Sequence, residues 1–227
     1  MPLPYSCDVS ELTSATATVP KDPRWPAIVA LLIVVFLIIH LPNRYQATPT
    51  WSLWVITGIV IAAMLAVTAF PTSNFWRRTE RIVILAAAAI SCLLGIIAGA
   101  KLVLDMIIHQ HGYSSVTLLA SATALFLTNI LIFGLIYWQL DLGGPPARDA
   151  GFSGDPDFDF AQSEKNKRWR PGFVDYLYIS YASSTSFQAP DHARPVSHRI
   201  KLLIILQGLI SLTTLFLIAA RAIATLT

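Results

Sequence analysis

Five apolar runs set the rhythm of the chain, at residues 25–41, 51–70, 82–108, 115–140 and 199–223. The first two, WPAIVALLIVVFLIIHL and WSLWVITGIVIAAMLAVTAF, are each followed at once by a proline, Pro42 and Pro71. Each run is close to the ~20 residues that carry a helix across ~30 Å of hydrocarbon. Lipid offers no partners to free backbone groups, so helices that bond internally are the expected element. The pattern predicts an all-α integral membrane protein with five transmembrane helices. A polar tail, 1–24, precedes them, and an irregular cytoplasmic loop rich in Gly, Pro and Asp is expected at 141–171.

One stretch fits neither loop nor span. Residues 172–191 contain FVDYLYISYASSTSFQAPD, in which Phe173, Tyr176, Leu177, Ser180, Tyr181 and Ser184 recur at helical spacing. Pro171-Gly172 breaks the chain before it, and Pro190 opposes continuation after it. A helix over 173–184 would be ~18 Å long, half a bilayer. Two readings follow: a short re-entrant helix with a polar return, or an amphipathic helix lying at the interface. On the first reading Ser184, Thr185, Ser186, Phe187 and Gln188 line a pathway together with Gln207, Ser211 and Thr214 of the last run.

Composition agrees with the pattern. The chain is 55% hydrophobic and 13% charged, against roughly 25% charged in soluble domains. Its net charge of +3 is scattered between apolar runs, which argues against the basic patch that nucleic acid requires. Lys21, Arg24, Arg77, Arg78, Arg81 and the basic residues between 148 and 201 fall on one side of the five runs. The other side holds Arg44, while Lys101 and Arg221 lie within runs. Basic residues mark the cytoplasmic side, so the expected topology is multi-pass in the inner membrane, N-terminus inside and C-terminus outside. The proline-rich tail lacks the charged start and cleavage site of a signal peptide, so the first run reads as a retained anchor. Cys7 and Cys92 make no disulfide framework.

Polar residues inside the runs are the candidate chemistry. Lys101, Asp105 and His109 share one helical face at i, i+4 and i+8, where Lys and Asp can pair. His40, His109 and His111 reach the same outer level and are the weak candidates for a haem or metal. Ser121 and Asn129 share a face of the fourth run, and such groups usually bond across helix interfaces. Asp155, Asp157 and Asp159 alternate in the long loop without the glycine and closing Glu of a calcium loop, and read as a solvated acidic turn. No nucleophile elbow, phosphate loop, HExxH or CxxC is present, so neither an enzyme nor a cofactor is expected. No 20–50-residue repeat supports an inverted-repeat transporter. What remains is an oligomeric channel-like protein, a non-catalytic component binding lipid or partner helices, or a haem carrier. The expected partners are the bilayer and either further copies of the chain or another membrane protein.

The sequence F-x-D-Y-L-Y at 173–178, S-F-Q-x-x-D at 186–191, R-x-K at 199–201 and IYWQLDLGGP at 136–145 resemble the C-terminal part of an uncharacterised prokaryotic membrane-protein family. The resemblance covers 130–225 best and implies no activity. A more distant likeness is to the pore-loop half of tetrameric potassium channels, with 185–189 at the filter position. Both filter glycines are missing there, and Phe, Gln and Ala resist the backbone angles a carbonyl filter needs. The expected orientation is also reversed, so potassium selectivity is excluded.

Overall fold

The computed structural model describes residues 22–43, 45–46, 49–70, 73–108, 115–149, 154–166, 169–188 and 190–224. Five main helices form the body: α1 (Trp25–Ile39), α2 (Thr50–Ala69), α3 (Asn74–Ile108), α4 (Ser115–Leu140) and a last helix, His198–Ala224. Among the described residues, four stretches are long and apolar enough to cross a membrane: Trp51–Ala69, Phe75–Asp105, Val116–Asp149 and His198–Ala220.

The first run is the exception. α1 has 15 residues, or about 22 Å, which is short of the hydrocarbon thickness. It opens with proline in its first turn, where no backbone N–H is needed, and is capped by His40 rather than running to Leu41. Its flanks reach α3 at two heights. Arg24 bonds Glu80 at one end of α3, and Tyr45 bonds Asp105 near the other. Those two α3 positions lie about 37 Å apart at helical rise, so Arg24 and Tyr45 meet α3 at well-separated heights.

The third helix departs from expectation at its start. It begins at Asn74 rather than at 82, because nothing between Ser73 and Ile82 breaks a helix. Arg77, Arg78, Glu80 and Arg81 therefore stand on helical turns.

The loop expected to be irregular at 141–171 is substantially built. A 3-10 turn at Asp141–Gly143 leads into α5 (Pro145–Asp149); β1 (Phe158–Phe160) and α6 (Ala161–Lys165) follow. Gly143 and Gly144 carry positive φ, +81° and +88°, and reverse the chain at the end of α4. β1 pairs antiparallel with β2 (Ala193–Pro195), with Phe158 opposite Pro195 and Phe160 opposite Ala193. Aromatic rings hold this cap to the bundle: Phe158 meets Tyr137 and Tyr176 edge-on, and Phe160 meets Tyr176 and Trp169.

Between the strands lies α7 (Phe173–Ser186), and the last helix (His198–Ala224) is α8. The Asp175 carboxylate accepts from the Gly172 N–H at 2.8 Å and so fixes the start of α7. At 14 residues α7 is about 21 Å long, two residues beyond the expected end and still short of a full span. It descends α4 in antiparallel register. Phe173 meets Trp138, Leu177 meets Gly134, and Ser180 reaches the carbonyl of Ile130. Gly134 permits the close approach, since a Cβ there would stand 3.2 Å from the Leu177 Cα. α4 is the hub, packed against α1, α3, α7 and α8.

Candidate functional site

The residues expected to line a pathway divide into two sets. Gln207, Ser211, Thr214 and Ser184 are buried. The Gln207 amide donates to the Ser180 carbonyl at 3.0 Å and to the hydroxyls of Ser180 and Ser184 at 2.7 Å. Its carbonyl accepts from the Tyr137 hydroxyl at 2.6 Å. Gln207 thereby joins α4, α7 and α8 at one point. Further along, the Asn129 amide donates to the Ser211 hydroxyl at 2.9 Å. Thr214 turns back to the carbonyls of Ile210 and Ser211. Ser121 likewise donates to the Thr117 carbonyl.

Thr185, Ser186, Phe187 and Gln188 are exposed. The Thr185 hydroxyl donates to the Tyr181 carbonyl of its own helix at 2.9 Å, and Phe187 ends α7 in a left-handed conformation, φ 55°. The two sets do not meet around a polar opening. Among the cavities found in the described residues, one of about 40 Å³ sits between α1, α2, α3 and α4. One of about 20 Å³ lies beside Thr128 and Asn129. The larger opening, about 460 Å³, is an apolar groove bounded by α1, α4 and α7.

The outer group is arranged differently from its helical spacing alone. Asp105 is buried and accepts from the Tyr45 hydroxyl at 2.7 Å, a partner sequence spacing could not supply. Lys101 is half-buried on the same helix. His40 is exposed, with its ring nitrogen 2.8 Å from the Phe36 carbonyl and its ring against Phe36. His109 and His111 lie outside the described residues. Among the described residues, no group of three His, Cys, Asp or Glu is placed to hold a metal.

A charged layer at the cap end was missed altogether by sequence reasoning. Asp141, at the end of α4, is buried and accepts from the Tyr176 hydroxyl at 2.5 Å and the Asp157 N–H at 2.8 Å. Burial raises the Tyr176 hydroxyl well above its ordinary range, so it stays protonated and remains the donor. Arg148 lies over the Tyr176 ring, 5.4 Å from its centroid. It donates to the carbonyls of Trp138 and Asp141 and to the Asp22 carboxylate at 2.6 Å. The Trp138 indole donates to the same Asp22 oxygen. Arg24 joins Glu80 at 3.0 Å and Asp149 at 3.4 Å. Arg199 forms a two-point pair with Asp157.

The acidic turn at 155–159 is therefore only half solvated. Asp155 and Asp159 are exposed, whereas Asp157 is 2% exposed and ties the cap to the start of α8. The available signal was an arginine inside a Gly-Pro loop, with phenylalanines alternating with aspartates beside it. Burying such charges costs more than their attraction returns unless each is also hydrogen-bonded, which is the arrangement around Asp141 and Arg148.

Compared with protein-family models, curated proteins and solved structures, the chain matches none. The functional reading therefore rests on the geometry. On the long apolar helices Asn129, Ser211 and Gln207 turn inward and bond across helices, while the buried Thr128 and Gln139 side chains have no partner among the described residues.

Proposed function

We propose that this chain is a multi-pass membrane component that binds lipid or the helices of a partner, and that it is not a conduit. In this reading α1 and its flanks complete five crossings, with the N-terminus cytoplasmic and the C-terminus outside. The charged layer around Asp141 and Arg148 marks the cytoplasmic face, and α7 enters from there to half depth. The observation that carries the proposal is the closure of the Gln207 node. The amide and hydroxyl groups of α4, α7 and α8 bond one another, and the larger opening is lateral and lined with carbon. Polar groups spent on holding helices together do not replace an ion's hydration, and the buried groups left unpartnered on α4 and α7, at Thr128, Gln139 and Ser183, are too few to do so.

A second reading rests on the exposed tip of α7. A homo-oligomer that brought Thr185, Ser186, Phe187 and Gln188 of several copies to one axis would make a permeation path. Purified protein in liposomes separates the two. The binding reading expects no cation, proton or small-solute flux above empty liposomes and retention of lipid or a partner on purification. Saturable flux that is abolished by Gln188→Leu overturns it in favour of the oligomeric path.

A further inference from the structure

We infer that two small cavities bordered by Thr128 hold ordered water, which bridges α4 to Ser91 of α3. The inference concerns the interior of the bundle and stands apart from the membrane-component reading. One cavity, about 20 Å³, is bordered by Ser91, Gly95, Leu125 and Thr128, with Asn129 and Thr214 beside them. The other, about 40 Å³, shares the first four residues and adds Tyr45 and Gln46. Room for one water begins near about 10–15 Å³, so the smaller cavity admits a single molecule and the larger about two or three. Neither is large enough for a lipid tail.

The space comes from Gly95. A Cβ on it would meet nothing within 4 Å, so this turn of α3 sends no side chain into the gap. The polar demand comes from Thr128. It is 3% exposed, and its hydroxyl has no hydrogen-bond partner among the described residues. Other helix hydroxyls behave differently. Ser121, Thr123, Thr213 and Thr214 each donate to the carbonyl four residues earlier. Thr128 makes no such bond, and it borders both cavities. A buried hydroxyl without a partner is costly in apolar surroundings, and a water there supplies both donor and acceptor.

Polarity decides the occupant. A wholly apolar cavity stays dry, whereas one offering about two to four hydrogen-bonding groups takes water. Thr128 and Ser91 are common to both cavities. In the smaller one, Asn129 spends one amide hydrogen on Ser211, and Thr214 donates to backbone carbonyls. Each keeps further bonding capacity: a second amide hydrogen on Asn129 and the lone pairs of the Thr214 hydroxyl. Ser91 is the one hydroxyl-bearing residue between Arg81 and Lys101. A Thr128–water–Ser91 bridge therefore gives the middle of α3 a polar tie to α4, of nearly the strength of a direct bond.

The test is X-ray hydroxyl-radical footprinting of the full chain in lipid, read at two leucines of matched burial. Leu125 is 6% exposed and borders both cavities, whereas Leu217 is 7% exposed and borders neither. Water held beside Thr128 is split by the beam and oxidises what it touches, so Leu125 should oxidise several-fold faster than Leu217. Thr128→Val keeps the size of the side chain and removes the hydroxyl, and should bring Leu125 down to the Leu217 rate. The same variant gives a second sign. With water bound, it strands a water and the Ser91 hydroxyl and should lower the melting temperature by about 2–4 °C. In a dry cavity it removes an unpaired hydroxyl, and the melting temperature holds or rises. Equal oxidation of the two leucines in the native chain overturns the inference, as does a melting temperature that holds or rises in Thr128→Val. Should Thr128→Val not fold, the comparison of Leu125 with Leu217 in the native chain decides alone.

Discussion

The two faces of α4 are held by different physics. Toward α7 and α8 it is stitched by polar contacts: Ser180 to the Ile130 carbonyl, Tyr137 to Gln207, and Asn129 to Ser211. Toward α1, α2 and α3 it meets carbon, with Ile132 and Leu135 joining Val34, Val60, Met64, Ile84, Ala87 and Ala88 in one cluster. A cavity of about 40 Å³ remains on that side. Helices already in lipid gain little from burying apolar surface against each other, so the carbon face rests on dispersion and tolerates small gaps. A hydrogen bond fixes rotation and register, because a one-residue slip leaves a polar group in hydrocarbon. The polar face should therefore be specific and the carbon face forgiving.

The largest expected effect lies where the polar face meets the cap. Arg148→Ala removes the donor shared by two backbone carbonyls and Asp22, and should cost about 3–5 kcal/mol, seen as lost monodisperse protein or an early unfolding transition. Arg148→Lys keeps the charge without the planar fork and should fall between Ala and the native residue. A native-like Arg148→Ala would mean the layer is surface decoration.

Gly134→Val comes next. Even a Cβ stands 3.2 Å from the Leu177 backbone, so a branched side chain should push α7 off α4 at about 1–3 kcal/mol. A cysteine placed at Ser183, now buried, should then become reactive to a water-soluble maleimide. Gln207→Leu leaves Tyr137 and Ser184 without their described partner on α8 and should cost about 1–2 kcal/mol in detergent unfolding. On the carbon face, Val60→Ile adds a methylene beside the cavity and should stabilise by at most about 1 kcal/mol. If Val60→Ile disturbs the protein as much as Gln207→Leu does, the contrast between the faces fails. Asp159→Ala, at an exposed position, should leave the melting temperature unchanged.

Much of this layout was legible in the chain, because apolar runs and helical spacing are local. Of Phe173, Tyr176, Leu177, Ser180, Tyr181 and Ser184, which recur at helical spacing in sequence, Phe173, Tyr176, Ser180 and Ser184 are buried, Leu177 is half-buried and Tyr181 is exposed. The use of those positions was not legible. Ser184 meets Gln207 across 23 positions and Asp157 meets Arg199 across 42, and no periodicity reaches that far. The loop at 141–171 read as irregular because its order comes from aromatic rings and carboxylates docking on α4 and α7, not from its own propensity. Asp105 was visible as a charge within an apolar run, while its partner Tyr45 lies 60 positions away, on the far side of α2 in the chain.

Sequence by itself determined that lipid is the fitting solvent, where the long helices run, and that α7 is shorter than a span. These follow from composition and from spacing within a single helix, which a linear chain expresses directly. Tertiary structure decided that Gln207, Ser211 and Ser184 close on one another instead of facing a path, and that Asp141, Arg148 and Tyr176 form a buried charged layer. It also decided that α7 leaves an apolar groove beside α1. Those outcomes depend on which helix lies against which and at what height, and that is fixed only when α4, α7 and α8 bring distant polar groups within bonding distance.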